Sequence, residues 1–165
     1  MLYFSYGSNM SHQRLRDRVP SALFFSTAIL SGHTLRFHKK SIDGSGKCDA
    51  FFTNDPSDKI VGVVFEIDET EKTALDKKEG LGNGYDEKKV LLTEINGGEI
   101  SALTYIASNI DESLKPYQWY KHHVLMGAKE NGLPDDYIQK ICDIEAIEDP
   151  NMERHEREMA IYTNK

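Results

Sequence analysis

The chain has 165 residues, enough for one domain around a single core and too few for two. Hydrophobic residues make up 39% and charged residues 28%, and the formal net charge is -7, which speaks against a broad nucleic-acid surface because phosphate binding needs clustered Lys and Arg. No apolar run approaches the roughly 20 residues that span a bilayer, and the start carries neither a basic leader nor a small-residue cleavage site. Cys48 and Cys142 lack metal or redox spacing, so free thiols in the cytoplasm are expected.

Leu2 to Tyr6 reads as a buried strand of aromatic and apolar residues, ended abruptly by Gly7-Ser8-Asn9. Ser11 to Arg18 suits a short polar helix, with Asn9 or Ser11 as its cap and Pro20 as its stop. ALFFSTAIL and HTLRF, between Ala22 and Phe37, read as two strands joined by a tight turn at Ser31-Gly32. SIDGSGKCD reads as loop, with a short strand at Phe51-Phe52-Thr53 before the Asn54-Asp55-Pro56 turn. Ile60 to Ile67 is β-branched and apolar on both faces, the strongest strand pattern in the chain. Asp68 followed by Glu71 suggests a capping arrangement for a helix running to about Glu79, which Gly80 stops.

YDEKKVLLTEI and EISALTYIA, around an Asn96-Gly97-Gly98 turn, form a hairpin. Pro116 to Asn131 is expected to be helical and closed by Gly132. Pro134 opens a second helix that aligns Tyr137, Ile138, Ile141 and Ile144. Residues 148–165 read as a polar, loosely packed tail. Strands do not alternate with helices as a doubly wound sheet requires, and the helices gather in the C-terminal third. The fold class is α+β, with a curved, mostly antiparallel sheet or a small barrel; periodicity does not choose between them.

A strand that breaks at glycine exposes successive amide donors. Gly7-Ser8-Asn9 therefore reads either as a loop for a carboxylate, phosphate or oxyanion, or as a tight turn that caps the next helix. Ser8 as a nucleophile needs a general base, and no spacing places His12, His33, His38, His122, His123 or His155 beside it. The Gly-x-Ser-x-Gly elbow is also absent, because Met10 occupies its last position. His122 and His123 are adjacent, and neighbours on a helix point about 100° apart, which makes them poor joint metal ligands. Glu79, in LDKKEG, stands at the negative end of its helix; that position and any burial disfavour its charged form, which suits proton transfer. The plainer reading is a solvated glutamate beside Lys77 and Lys78.

YFSYGSNM, GVVFEI followed by LDKKEGLGNGY, LTYIAS and MGAKENGLP occur in the order seen in γ-glutamyl cyclotransferases. From about Leu2 to Ile144 the chain resembles that family, within the wider AIG2-like superfamily. The resemblance implies a small mixed, mostly antiparallel β-barrel flanked by α-helices over residues 1–147, a glutamyl pocket at one mouth, no cofactor and no metal. It also implies a small-molecule γ-glutamyl substrate, no nucleic-acid or membrane partner, a role in cytoplasmic glutathione metabolism, and a homodimer. Carried over by position, Tyr3, Phe4, Ser5, Tyr6, Gly7, Ser8 and Asn9 hold the γ-glutamyl group. Glu79 is the general acid/base, and Tyr85 and Tyr105 line the pocket. The implied activity releases 5-oxoproline and a free amine or amino acid, by attack of the substrate's own α-amine. A non-catalytic binding or interaction module with the same barrel and pocket is the alternative. Met10 stands where the family more usually has leucine, and GLGNGY is rich in glycine.

Overall fold

The N-terminal strand, β1 (Leu2–Ser5), ends before Tyr6, and the chain passes through a 3₁₀ turn, Ser8–Met10, into α1 (His12–Arg16). The computed structural model describes residues 1–163. β2 (Leu23–Ser31) and β3 (His33–Lys40) turn at Gly32, whose φ of 72° lies in the left-handed region that glycine enters without strain. The two strands belong to different sheets: β2 enters a barrel, whereas β3 pairs with β4 (Gly46–Phe52) as a separate two-stranded sheet.

The stretch expected as loop is therefore half strand, with Gly46 to Asp49 inside β4. Gly46 serves packing there, since an added Cβ would lie 2.0 Å from the Phe37 carbonyl oxygen. The turn before it is fastened by Asp43, which accepts from Ser45 N and Oγ and from Lys47 Nζ.

β5 (Lys59–Glu66) is buried continuously from Ile60 to Phe65 and pairs antiparallel with β1 on one side and β2 on the other. A 3₁₀ turn, Glu69–Glu71, is capped by Asp68 through Thr70 N and leads into α2 (Lys72–Glu79). Glu71 does not reach back to complete a capping box; its carboxylate accepts from Ser21 N and Oγ instead. Gly80 ends α2 at φ 75°.

β6 (Tyr85–Glu94) and β7 (Glu99–Ala107) form the expected hairpin. The five barrel strands close in the order β1-β5-β2-β6-β7, with β7 parallel to β1 at Leu103–Tyr3 and every other pairing antiparallel. This is the mixed, mostly antiparallel barrel of the expected α+β class. Phe4, Ile60, Val63, Phe65, Leu75 and Leu92 are fully buried in its core.

α3 (Gln118–Glu130) and α4 (Asp135–Cys142) follow, near the bounds expected. Among the described residues no helix is long and apolar enough to cross a membrane.

The polar tail is not loose. Residues 152–160 form α5 (Met152–Ala160), and Asn151 caps it by accepting from Arg154 N; Asn164 and Lys165 lie outside the described residues. Asp149, buried, accepts from Trp119 Nε1 at 2.7 Å and from Arg154 Nε and Nη2 at 2.6 Å each, and the Arg154 hydrogen bonds hold it well below the usual carboxylate range. Glu158 meets Arg14 at 2.8 Å and the fully buried His123 at 2.9 Å, while His123 Nδ1 lies 2.6 Å from the Tyr162 hydroxyl. Charges that read as solvated are counter-ions for groups on α1 and α3.

Burial pushes His123 down from 6.5 to about 4, against the pull of Glu158. The unfolded imidazole takes a proton in that window and the folded one does not, so stability falls as pH drops from about 6.5 toward 4, by on the order of 1–3 kcal/mol. Denaturation followed through the single tryptophan, Trp119, 5.6 Å from the His123 ring, measures this slope. His123→Gln is expected to flatten it, and an unchanged slope in that variant contradicts the assignment.

Candidate active site

Alternation along β1 sends Tyr3 and Ser5 to one side and the fully buried Phe4 to the other. Tyr3 and Ser5 line a pocket at the barrel mouth together with Tyr6, Gly7, Ser8, Asn9, Glu79, Tyr85 and Tyr105. Of the residues singled out in the sequence, Phe4 alone is not on this wall. Cys48, Thr104 and Tyr120 complete the lining. Sequence reading missed Cys48 because its strand read as loop, and Tyr120 because an aromatic residue in a helix reads as core.

The glycine at position 7 answers to crowding. Its φ of -119° is open to any residue, but an added Cβ would lie 3.0 Å from Cys48 Cβ and 3.5 Å from the Tyr120 hydroxyl. Beyond it, Ser11 caps α1 by accepting from Arg14 N, which releases Asn9 from that task. Among the described residues, no acceptor meets the backbone N–H of Gly7, Ser8 or Asn9. These are the unpaired donors that open a helical turn, and they stand beside the pocket.

Asn9 Nδ2 donates to Glu79 Oε1 at 2.7 Å and lies 3.1 Å from the Tyr3 hydroxyl, while Asn9 Oδ1 accepts from Arg18 Nη1 at 3.0 Å. Arg18 Nη1 also stands 3.2 Å from Glu79 Oε1. The side chains of Arg18 and Glu79 are 20% and 16% exposed, so Glu79 is no solvated helix-end residue; it is the one carboxylate on the wall. Oε1 is gripped by two donors, and Oε2 has no partner among the described residues. Arg18 gave no sign of this in the sequence, where it ends a short polar helix.

Hydroxyl groups tie the remaining walls to the frame. Tyr6 donates to the Tyr105 carbonyl, Tyr85 to the Cys48 carbonyl, and Tyr105 to Asp76 Oδ1 at 2.5 Å. Cys48 N donates to the Tyr120 hydroxyl at 3.1 Å. Burial raises the phenols of Tyr3, Tyr6, Tyr85, Tyr105 and Tyr120 and pushes the Cys48 thiol up to about 12, so all six stay protonated near neutral pH. Ser5 Oγ, buried on the pocket wall, has no hydrogen-bond partner among the described residues. Among the described residues no histidine lines the pocket, so Ser8 has no histidine there to act as its base. The pocket is open at its mouth and, with that mouth included, leaves about 300 Å³ free of protein atoms.

Residues 59–141 match the model of the AIG2-like family. A γ-glutamylcyclotransferase from Bos taurus is 39% identical over 149 residues, which span 87% of this chain and 78% of the relative. The chain belongs to the γ-glutamylcyclotransferase family. The Homo sapiens γ-glutamylcyclotransferase is 38% identical over the same shares. A solved γ-glutamyl cyclotransferase structure superposes with a TM-score of 0.87 at 33% identity, covering 99% of this chain and 98% of that one. Membership of the γ-glutamylcyclotransferase family thus extends over the barrel, the glycine turn after β1 and the Glu79 segment together.

The turn owes its position to α3, where a Cβ on Gly127 would lie 2.5 Å from Ser11 N and 2.6 Å from Met10 C. Gly127→Ala is expected to destabilise the chain by about 1–3 kcal/mol, since backbone has to yield. Equilibrium denaturation measures it, and wild-type stability in the variant contradicts the close approach.

Proposed function

We infer that this chain is an enzyme, a γ-glutamyl cyclotransferase that converts a γ-glutamyl amide into 5-oxoproline and a free amine or amino acid. The observation that carries the mechanism is the Glu79 carboxylate, fixed through Oε1 by Asn9 and Arg18 with Oε2 left uncommitted beside the pocket.

The substrate brings its own nucleophile, an α-amine spaced to close a five-membered ring on the γ-carbonyl. Glu79 Oε2 takes a proton from the α-ammonium, and the amine attacks the γ-carbon. The first proton passes through Glu79 to the departing nitrogen as the amide C–N bond breaks, and the second proton, which the attacking nitrogen sheds on becoming a lactam N–H, converts the freed amine to its ammonium form. Atoms balance without water, and the scheme draws on no cofactor. The free amides of Gly7, Ser8 and Asn9 serve the oxyanion or the α-carboxylate, and the Ser5 hydroxyl offers a further hydrogen bond. Neutral tyrosines wall the glutamyl chain into a folded conformer, which lowers the barrier by several kcal/mol.

The non-catalytic alternative leaves the gripped carboxylate and its free oxygen without a task. Cytoplasmic location, glutathione metabolism, a homodimer and the lack of nucleic-acid or membrane partners complete the proposal. The free Cys48 and Cys142 support the first, the net charge of -7 speaks against nucleic acid, and family likeness supports the rest.

Glu79→Gln preserves an acceptor for Asn9 and Arg18 but cannot carry a proton. Release of 5-oxoproline from γ-glutamyl compounds, scored by mass spectrometry, is expected to fall about 10²–10⁴-fold in a folded variant. Wild-type release by that variant would remove Glu79 from the mechanism.

A further inference from the structure

α2 is eight residues long, short enough that its packing on the barrel has to hold it in shape. Lys72, Leu75, Asp76 and Glu79 are withdrawn from solvent, whereas Thr73, Ala74, Lys77 and Lys78 are exposed. The spacing i, i+3, i+4, i+7 makes the first four a single helix face. Such an inward face is ordinarily apolar, but here only the fully buried Leu75 is. Its neighbours on that face are charged.

Each of those charges meets a different element. Glu79, at the last turn, is gripped by Asn9 and Arg18. Lys72, at the first turn, pairs with Asp76 and with Glu87 on β6, whose side chain is 42% exposed and so adds little. Asp76, between them, accepts from the Tyr105 hydroxyl on β7 at 2.5 Å. Burial keeps that phenol protonated near neutral pH, so it remains the donor. The Asp76 carbonyl also accepts from Gly80 N at 2.9 Å and Leu81 N at 3.0 Å. The chain is thus fastened to Asp76 one turn before Glu79 and again just after it.

Asn9 and Arg18 hold the Glu79 carboxylate, but neither holds the helix that carries it. Tyr105 and Glu79 both line the pocket, whereas Asp76 does not. We propose that Asp76 is a positioning residue: through the Tyr105 hydroxyl it sets the register of α2 against β7, and so the place of Glu79 Oε2 beside the pocket. This rests on the cyclotransferase reading above. A slip of α2 by one residue would carry Glu79 about 1.5 Å along the axis and turn it by about 100°. Misplacement of a reacting group by about 1 Å can cost about 10²-fold in rate.

The test compares Tyr105→Phe, which removes only the hydroxyl, Asp76→Ala, and the variant with both changes. kcat and KM for 5-oxoproline release are measured on γ-glutamyl-alanine or γ-glutamyl-ethylamine, whichever wild type turns over faster. Each single variant is expected to lose at least about tenfold in kcat with KM within about threefold of wild type, since the turn after β1 holds the glutamyl group. The double variant is expected to stay within about threefold of the slower single one, because the same hydrogen bond is lost once. A smaller loss of kcat in Tyr105→Phe, a larger change in KM, or losses that multiply in the double variant overturn the proposal. Where Asp76→Ala does not fold, Tyr105→Phe decides by the same limits of kcat and KM. Unaltered turnover in Tyr105→Phe removes only the role of Asp76, whereas no release by wild type from either compound overturns the cyclotransferase reading as well.

Discussion

A carboxylate drawn out of water has to be met by donors, and the one on this pocket wall is met through a single oxygen. Glu79 ends α2, Asn9 lies in the turn after β1, and Arg18 follows α1, so one atom ties α2 to two groups 70 and 61 residues earlier in the chain. The pairing works only if the turn after β1 lies deep against its neighbours. Gly7 against Cys48 and Gly127 against Ser11 permit that depth: a methyl group would crowd the first and collide with backbone at the second. Loss of either approach would shift Asn9, and with it the grip on Glu79.

Around this ion pair the walls are built from neutral groups. Five phenols and one thiol are kept protonated by burial, and several of the hydroxyls hydrogen-bond to backbone carbonyls or to Asp76. Among the lining residues the one acid is thus Glu79, whose partner Arg18 stands outside the wall. In a site shielded from water, a proton moved by Glu79 meets few competing acids or bases. The adjacent segment from Gly80 to Gly84 has three glycines with positive φ, at positions 80, 82 and 84, and a Cβ at Gly82 would meet nothing within 4 Å.

Much of the barrel was legible because its signals are local. The apolar run of β5, the glycine turn between β6 and β7, and the break of β1 at Gly7 each announce an element within ten residues. What escaped depends on long-range packing. Gly46 looked like a turn residue, yet it sits in a ladder because Phe37 passes close by. The charges of the last helix looked solvated, yet Glu158 and Arg154 pair with groups more than local spacing can reveal: Arg14 and His123 for the first, and an Asp149 already bonded to Trp119 for the second. In the pocket, the wall from β1 and the placement of Glu79 followed from motif order, whereas Arg18, Cys48, Thr104 and Tyr120 arrive from elements whose sequence shows nothing of where they point.

The central claim is that the substrate's own amine, and not water or Ser8, attacks the γ-carbonyl. Turnover of a γ-glutamyl-amino acid in water enriched in oxygen-18, with products resolved by mass spectrometry, tests it most directly. Intramolecular attack requires 5-oxoproline that carries no oxygen-18. Glutamate labelled with one oxygen-18 as the product would show hydrolysis and contradict the mechanism.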